Sequence, residues 1–326
     1  MTPQRRQFVM TLALSAASPW AAAQGTPVAD PRTLRIVVGF PPGQATDAVA
    51  RLLAERLQKA LAQPVVVENK PGQGGSLALG AVAKAPPDGM TITLSALAGY
   101  SVNPHLYRNV PYDTLKDFAP IAVVADLPLA LVVTPSLPVK SMAELLELVR
   151  AQPDKLSHPS SGNGTLSHLM MEDLKRRANV KIVHVPYQGS ARAMTDLAGG
   201  TVQVGLDTLG ATMPLVQGGK LRLLAVGTSK RLASMPEVPT IAELGFPGFE
   251  AVAWVGLAAP AGTPLPIREK LHAEVQAALK DPDFVAKLAV LYAYPRPGTV
   301  DDFGRLLKSE YTRWGQVVQQ VGVKVE

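Results

Sequence analysis

Among its 326 residues the chain has no cysteine. That excludes a disulfide and a thiolate metal site, and makes the chain indifferent to redox compartment. Charge is also scarce: 18% of residues are charged and 47% are hydrophobic. Such a balance supplies ample core and argues against disorder away from the ends. The net charge of +6 comes without any run of four basic residues. It reads as a solvated basic surface and not as a nucleic-acid footprint, so no nucleic-acid partner is expected. A positive surface does help to draw in an acid. There is no Gly-x-x-x-x-Gly-Lys-Ser or -Thr, and Gly72-Gln73-Gly74-Gly75-Ser76 lacks the dinucleotide spacing and its acidic partner. The histidines at 105, 158, 168, 184 and 272 form no recognised ligand spacing, so neither a metal nor a cofactor is expected.

Long apolar runs are missing as well. After the N-terminus no segment offers 18 uncharged apolar residues in a row. At the N-terminus itself, Arg5-Arg6 precede an apolar run from Phe8 to Ala17, and small residues end at Ala21-Ala22-Ala23 before Gln24. That order of basic, apolar and Ala-x-Ala segments predicts a cleaved signal peptide over 1–23 and export to the periplasm as a soluble product. The twin arginines leave two export routes open. An uncleaved membrane anchor is the alternative to cleavage.

What the chain does have is a repeated design. Leu34 to Val38 suits a buried strand, Gly39 to Gly43 a turn, and Ala48 to Leu61 a helix that Thr46 or Asp47 can cap. Strands over Val65–Asn69 and Met90–Ser95, with a helix over Leu77–Ala85 between them, complete a βαβαβ unit. The prolines and aromatics of 99–120 suggest an ordered wrapping segment. Strands over Ile121–Val124 and Ala130–Val133 break near Pro128, where the chain crosses into a second region. That region alternates strand and helix again. Strands are expected over 156–160, 182–185, 202–206 and 221–227, and helices over Ser141–Ala151, Leu166–Arg177, Ala191–Ala198 and Met213–Gln217. Ala253–Ala259 should carry the chain back, and helices over Pro266–Leu279 and Thr299–Val321 should cover the first region. The length favours two domains. The expected division is a discontinuous first lobe, 32–125 with 255–326, and a second lobe, 126–254.

Four loops precede helices: Gly43 to Asp47, Gly72 to Ser76, Ser161 to Thr165, and Gln188 to Ser190. Each offers backbone N–H groups, hydroxyls or amides and little positive charge. A helix start carries about half a positive charge, so several converging on one carboxylate can replace an arginine. The competing explanation is four ordinary turns that need glycine for their geometry. Taken together the loops favour one site for a small anion, bound without chemistry. The candidate ligand contacts are Phe40, Gly43, Gln44, Ala45, Thr46, Gly74, Ser76, Ser95, Ser161, Asn163, Gly164, Thr165, His168, Tyr187, Gln188, Gly189 and Asp207.

Asp207 has three roles open to it: support of its loop, a bond to a ligand hydroxyl or amine, or an ion pair between domains. Phe40 and Tyr187 suit ligand packing or core equally well. Trp254 reads as core or hinge. A hydrolase is the enzyme alternative, with Ser161, His168 or His184, and Asp207 as its triad. Ser161 is not in Gly-x-Ser-x-Gly, however, and each histidine has a sufficient structural role. No catalytic residue is expected.

From Leu34 to Gly322 the chain closely resembles the tripartite tricarboxylate transporter substrate-binding proteins, also called Bug receptors. The resemblance is carried by Ile36-Val37-Val38-Gly39-Phe40-Pro41-Pro42-Gly43, Val66-Val67-Glu68-Asn69-Lys70-Pro71-Gly72-Gln73-Gly74-Gly75 and Asp88-Gly89-Met90-Thr91. Asn103-Pro104-His105-Leu106-Tyr107, Val110-Pro111-Tyr112-Asp113, His184-Val185-Pro186-Tyr187-Gln188-Gly189 and Pro236-Glu237-Val238-Pro239-Thr240 extend it. No one of these stretches is decisive; their order and spacing are. The resemblance implies an α/β, type II periplasmic binding protein fold, two lobes closing on a ligand. It implies that the Phe40 and Tyr187 loops grip a di- or tricarboxylate, an acidic amino acid or an aromatic acid, often through ordered waters. It implies as partner a two-subunit integral-membrane permease or, alternatively, a membrane sensor that signals without import. A monomer is expected. The chain departs from the family pattern at Gln44, where a second glycine is usual. Gln44 brings a donor, an acceptor and bulk to the mouth of the pocket. Contact with the ligand, displacement of a water, or a solvent-facing side chain are all open to it.

Overall fold

The computed structural model describes residues 33–323. The signal peptide expected over 1–23 lies outside the described residues. The first strand, β1 (Leu34–Val38), is followed by α1 (Ala45–Leu61), β2 (Val65–Asn69), α2 (Ser76–Ala83) and β3 (Thr91–Ala96). In β1, Leu34, Ile36, Val37 and Val38 are all buried. Interrupted only by the half-buried Arg35, this apolar run suits a strand covered on both faces. It pairs in parallel with β2 on one side and β3 on the other. On α1, Val49, Leu53 and Leu57 fall at four-residue intervals and are fully buried. Each such side chain stabilises the fold by about 1.5–3 kcal/mol.

A single turn of π-helix (Ala98–Val102) and the short α3 (Asn103–Leu106) open the proline-rich stretch. There follows β4 (Phe118–Val133), sixteen residues long. No break occurs at Pro128, contrary to the sequence expectation. Proline lacks an N–H, but here it stands where the strand changes partners. Phe118 to Pro128 pair with β9 (Val252–Pro260), and Leu129 to Val133 pair with β7 (Val204–Thr208). The next donor, Leu129 N–H, goes to Ala251 carbonyl at 3.0 Å. A missing donor therefore costs least at that switch.

The intervening chain supplies α4 (Met142–Ala151), β5 (Ser157–Ser160), α5 (Leu166–Ala178), β6 (Val183–Pro186), α6 (Ser190–Ala198), β7, α7 (Leu209–Gln217) and β8 (Arg222–Val226). β5 and β6 form a parallel pair, while β7 and β8 both run antiparallel to the second half of β4. After β9 come α8 (Leu265–Lys280), α9 (Pro282–Val290), β10 (Tyr294–Pro295) and α10 (Val300–Val321). The main sheet runs β10-β4-β9-β3-β1-β2. These are two α/β halves with mixed sheets flanked by helices, joined by β4 and by the return of the chain into β9. This is the type II periplasmic binding architecture.

The sequence pattern missed α9 and β10, and it placed the start of α7 four residues late. The last helix, α10, packs on the π-helical turn, α3, β4 and α5. Trp314 on α10 is buried and donates from Nε1 to Glu310 Oε2 at 2.9 Å. Trp254 on β9 is core, stacked on Tyr100 with centroids 5.8 Å apart. Among the described residues no helix is long and apolar enough to cross a membrane.

Candidate functional site

The turn after β1 is held from beneath by a buried carboxylate. Asp47 accepts from Gly43 N–H at 2.8 Å, from Arg51 Nε at 2.9 Å and from Asn69 Nδ2 at 2.8 Å. Asn69 Nδ2 also donates to Phe40 carbonyl at 2.9 Å. Burial would raise the Asp47 carboxyl, but the bonds from Arg51, Gly43 and Asn69 prevail and hold it below the ordinary carboxylate value. Neither Thr46 nor Asp47 caps α1 from outside. The helix begins at Ala45, the N-cap is Gln44, and no side chain caps it. Gly39 sits so close to Gly75 that a Cβ on it would lie 2.4 Å from Gly75 Cα. Any larger residue would push the first turn off the 72–75 turn.

Between the two halves lies a tight inner cavity of about 70 Å³, smaller by itself than a usual small-ligand site. Four helices start at its wall: α1 at Gln44, Ala45 and Thr46; α5 at Thr165, Leu166 and Ser167; α6 at Ser190; α7 at Thr208. None has a side-chain cap on its N–H groups, whereas α4, α9 and α10 do, from Ser141, Asp281 and Thr299. The start of α8 is also uncapped, so a bare terminus alone is no mark of a site. Convergence of four on one cavity is the distinguishing feature. Leu127, Leu129 and Ala253, where the two connections cross, form an apolar wall.

An outer cleft of about 570 Å³ opens from this cavity and brings the combined space into the usual range for small ligands. Phe40 and Ser161 line both and form the neck. Gly74, Asn163, Tyr187, Gln188 and Gly189 line the outer cleft. Tyr187 Oη donates to Asp196 Oδ2 at 2.7 Å, which fixes the ring. Among the described residues no Lys, Arg or His lines either space, and Asp207 is the one ionisable carboxyl in the linings. Asp207 is buried. It accepts from Ser190 Oγ at 3.0 and 2.9 Å and from Thr208 N–H at 2.7 Å. Burial raises its carboxyl to about 6 against these two donors.

The inner cavity thus gathers Gln44, Ala45, Thr46, Thr165 and Asp207 from the residues singled out in the sequence. Gly43 lies behind it, beside the α6–α7 surface. Ser76 does not reach either space: it is fully buried and bonds to Asn103 Nδ2 at 2.9 Å and Tyr112 Oη at 3.3 Å. Ser95 is buried behind the wall, outside both linings. Gly164 is tucked against Leu106 and Asn103. His168 is buried one turn below the loop, where Nδ1 accepts from Gly164 N–H at 3.2 Å. Its ring stacks on His184, with centroids 3.9 Å apart. Ser76, Gly164 and His168 support the loops that carry the lining. Ser167, Ser190 and Thr208 were missed as lining residues although each adjoins a residue that was named. The wall residues gave no signal, because nothing in a strand sequence tells which buried face meets a cavity.

The triad drawn from the sequence does not assemble. Ser161 Oγ pairs with Ser167 Oγ at 3.0 Å, His184 Nε2 with Ser160 Oγ at 2.7 Å, and Asp207 with Ser190 and Thr208. Among the described residues no group of three or more His, Asp or Glu could hold a metal ion.

Residues 49–323 match the model of the tripartite tricarboxylate transporter family receptor. The chain is 37% identical over 296 residues to protein BugT of Bordetella pertussis (strain Tohama I), covering 90% of this chain and 91% of that one. It is similar in structure to R. palustris Rpa4515 with adipate, with a TM-score of 0.87 and 39% identity over 90% of this chain and 99% of that one. It is likewise similar to MatC (Rpa3494) from Rhodopseudomonas palustris with bound malate, with a TM-score of 0.82 and 36% identity over 90% and 99%.

Proposed function

The chain belongs to the tripartite tricarboxylate transporter receptor family, and from that premise we propose that it is a periplasmic receptor for a small dicarboxylate. The family is one of solute receptors and not of enzymes. The observation that carries the reading is the convergence of four uncapped helix starts on one cavity without a cation. Each terminus counts for about half a positive charge, so four sum to roughly two, the charge of a dicarboxylate. Adipate and malate in the two similar solved structures support this class.

In this reading one carboxylate lies against the free N–H groups of α1 and α5, with Gln44 and Thr165 beside them. The second lies toward α6 and α7. Phe40 and Tyr187 close over the outer part of the ligand, and Asn163, Gln188 and Gly189 border its way in. Ser76, Gly164 and His168 hold loops in place and, like Ser95, do not touch it. The lobes are taken as 32–125 with 255–326, and 126–254, with the crossings at Pro128 and Ala251 as hinges. Closure excludes water, and each charge-assisted hydrogen bond then contributes about 1.5–3 kcal/mol. The signal peptide is cleaved before Gln24, and the loaded receptor delivers its acid to a two-subunit secondary permease.

The test is mass spectrometry of the small molecule that co-purifies with the exported protein and is released by denaturation. A stoichiometric dicarboxylic acid is the expected result. A neutral sugar or a peptide in the same stoichiometry would overturn the anion-site reading.

A further inference from the structure

The inner cavity presents a difficulty for a dianion. Asp207, one of its lining residues, is itself a carboxylate, and no cation stands beside it. Oδ1 is occupied by the Thr208 N–H, the Thr208 hydroxyl at 3.4 Å and one branch of the Ser190 hydroxyl; Oδ2 has only the other branch of that same hydroxyl. Oδ2 therefore has a lone pair unused, on a residue that lines the cavity.

The charged groups on the surrounding elements are committed elsewhere or exposed to solvent. On α1, Asp47 and Arg51 are tied to each other. On β4, Asp126 is paired with Arg296. On α5, Glu172 is held by His158 of β5 and by Lys175, Asp173 by Arg176 and Arg177, and His168 lies under its loop. On α6, Asp196 takes the Tyr187 hydroxyl and Arg192 is exposed. On β8, Arg222 is bonded to the carbonyls of Leu137 and Val139. α7 carries no ionisable side chain. A dianion beside an ionised Asp207 places three negative charges against roughly two positive ones from the helix starts.

We propose that binding of a dicarboxylate takes up one proton from solvent, which is held between Asp207 Oδ2 and the nearest carboxyl oxygen of the ligand. This deepens the receptor function proposed above and rests on it. The pair is then a carboxylic acid donating to a carboxylate, the arrangement two carboxyls adopt when they share a site. Asp207 thereby selects for acids. An uncharged hydroxyl facing it needs no proton, and an ammonium would pair with the ionised form directly. The burial of Asp207, which already raises its carboxyl to about 6, sets the range in which uptake is visible. An anion placed beside it raises it further.

The sign follows. Below about pH 6 the free protein already carries the proton, so affinity is level there. Above it the proton must be taken up, so affinity falls by up to about tenfold per pH unit.

The test is calorimetric titration with adipate and with malate at pH 6, 7 and 8, each in two buffers of different ionisation enthalpy. Affinity should fall as pH rises, and uptake should approach one proton per ligand at pH 8. Asp207→Asn supplies the hydrogen from its amide, so its affinity should be level across that range and its uptake nil. If that variant does not fold, the buffer comparison on the unaltered protein decides alone. Binding of either acid with level affinity and no uptake overturns the inference and leaves the receptor function standing. Tighter binding of aspartate than of malate, without uptake, also overturns it, because Asp207 then reads an ammonium. Failure of both acids to bind at every pH would sink the dicarboxylate reading together with the inference.

Discussion

Gly189 stands at the start of α6 with φ of +114°, and a Cβ there would lie 2.6 Å from Gln44 Nε2. Two costs follow for Gly189→Ala: backbone strain of about 1–3 kcal/mol and displacement of the Gln44 side chain. The expected result is a lower denaturation midpoint and at least about tenfold weaker adipate binding, the latter equal to about 1.4 kcal/mol. Gln44→Gly added to Gly189→Ala removes the collision but not the strain. The double variant should recover part of the affinity and none of the stability; recovery of both would show that strain at this position is unimportant. Asp47 is the second residue whose role is narrowly defined. In Asp47→Asn the amide donor would face either the Asn69 Nδ2 or the Gly43 N–H and Arg51 guanidinium, leaving a donor unpaired in both orientations. The loss should be about 1–3 kcal/mol in urea unfolding, with weaker ligand binding because Phe40 sits on the loosened turn. Unchanged stability would refute the account of that turn.

Beneath the Ser160 to Thr165 loop, three imidazoles from β5, β6 and α5 lie in a stack: His158 on His184 at 4.9 Å and His184 on His168 at 3.9 Å. Burial pushes His168 down to about 4 and His184 down to about 3, and it lowers His158 too. The rings are therefore neutral in the fold and charge readily only when it opens. A group depressed in the folded state stabilises above its unfolded value, near 6.5 for histidine, and the stabilisation is lost as pH falls below that. Asp207 acts in the opposite direction, since its carboxyl is raised and gains stability as pH falls through 6. Between pH 7 and pH 5, His168 and His184 each cost about 2 kcal/mol and Asp207 returns about 1, a net loss of about 3 kcal/mol. Urea unfolding at the two pH values measures it. A midpoint that rises at pH 5 would mean that the stack is charged in the folded protein. Because His184 and His168 hold Ser160 and Gly164 directly, this element couples acid stability to the loop lining the cavity.

For the molecule as a whole, the two halves meet across the cleft through few polar bonds. Tyr107 Oη, from the first half, donates to Asn163 carbonyl, from the second, at 3.0 Å. Tyr107→Phe removes that bond while leaving the ring in place. A neutral hydrogen bond contributes about 0.5–1.5 kcal/mol, so adipate should bind about 2- to 10-fold more weakly. The loss should appear in the dissociation rate, because the bond forms only as the halves close. Equal dissociation rates would show that this contact does not hold the closed form. The long β4 makes such closure feasible. It runs through both halves as one strand and changes partners at Pro128, so the two sheets share a backbone but not a ladder.

The alternation of strand and helix, the glycine turns before α1, α5 and α6, and the apolar run Ile36 to Val38 of β1 are local patterns. They were legible because burial on both faces of a parallel strand and the backbone of a tight turn each leave a mark on neighbouring residues. The loops that meet at the cleft could be named for the same reason. Which of their residues face the ligand space could not. Ser76 and Thr165 are alike in sequence terms, each a hydroxyl beside a glycine turn. Only the packing of Tyr112 and Asn103 over Ser76 seals it away, while Thr165 is left at the cavity wall. The continuity of β4 through Pro128 was hidden because a proline is judged by the hydrogen bond it omits, and the partner at that point lies more than a hundred residues away. The sequence by itself determined the class of fold, the family and the four-loop plan. The tertiary structure alone decided that α7 joins the ring of helix starts, that Ser76, Ser95, Gly164 and His168 stand behind the site, and that Asp207 faces the ligand space without a cation. Those are properties of distances between remote segments, set by how two sheets and their helices pack.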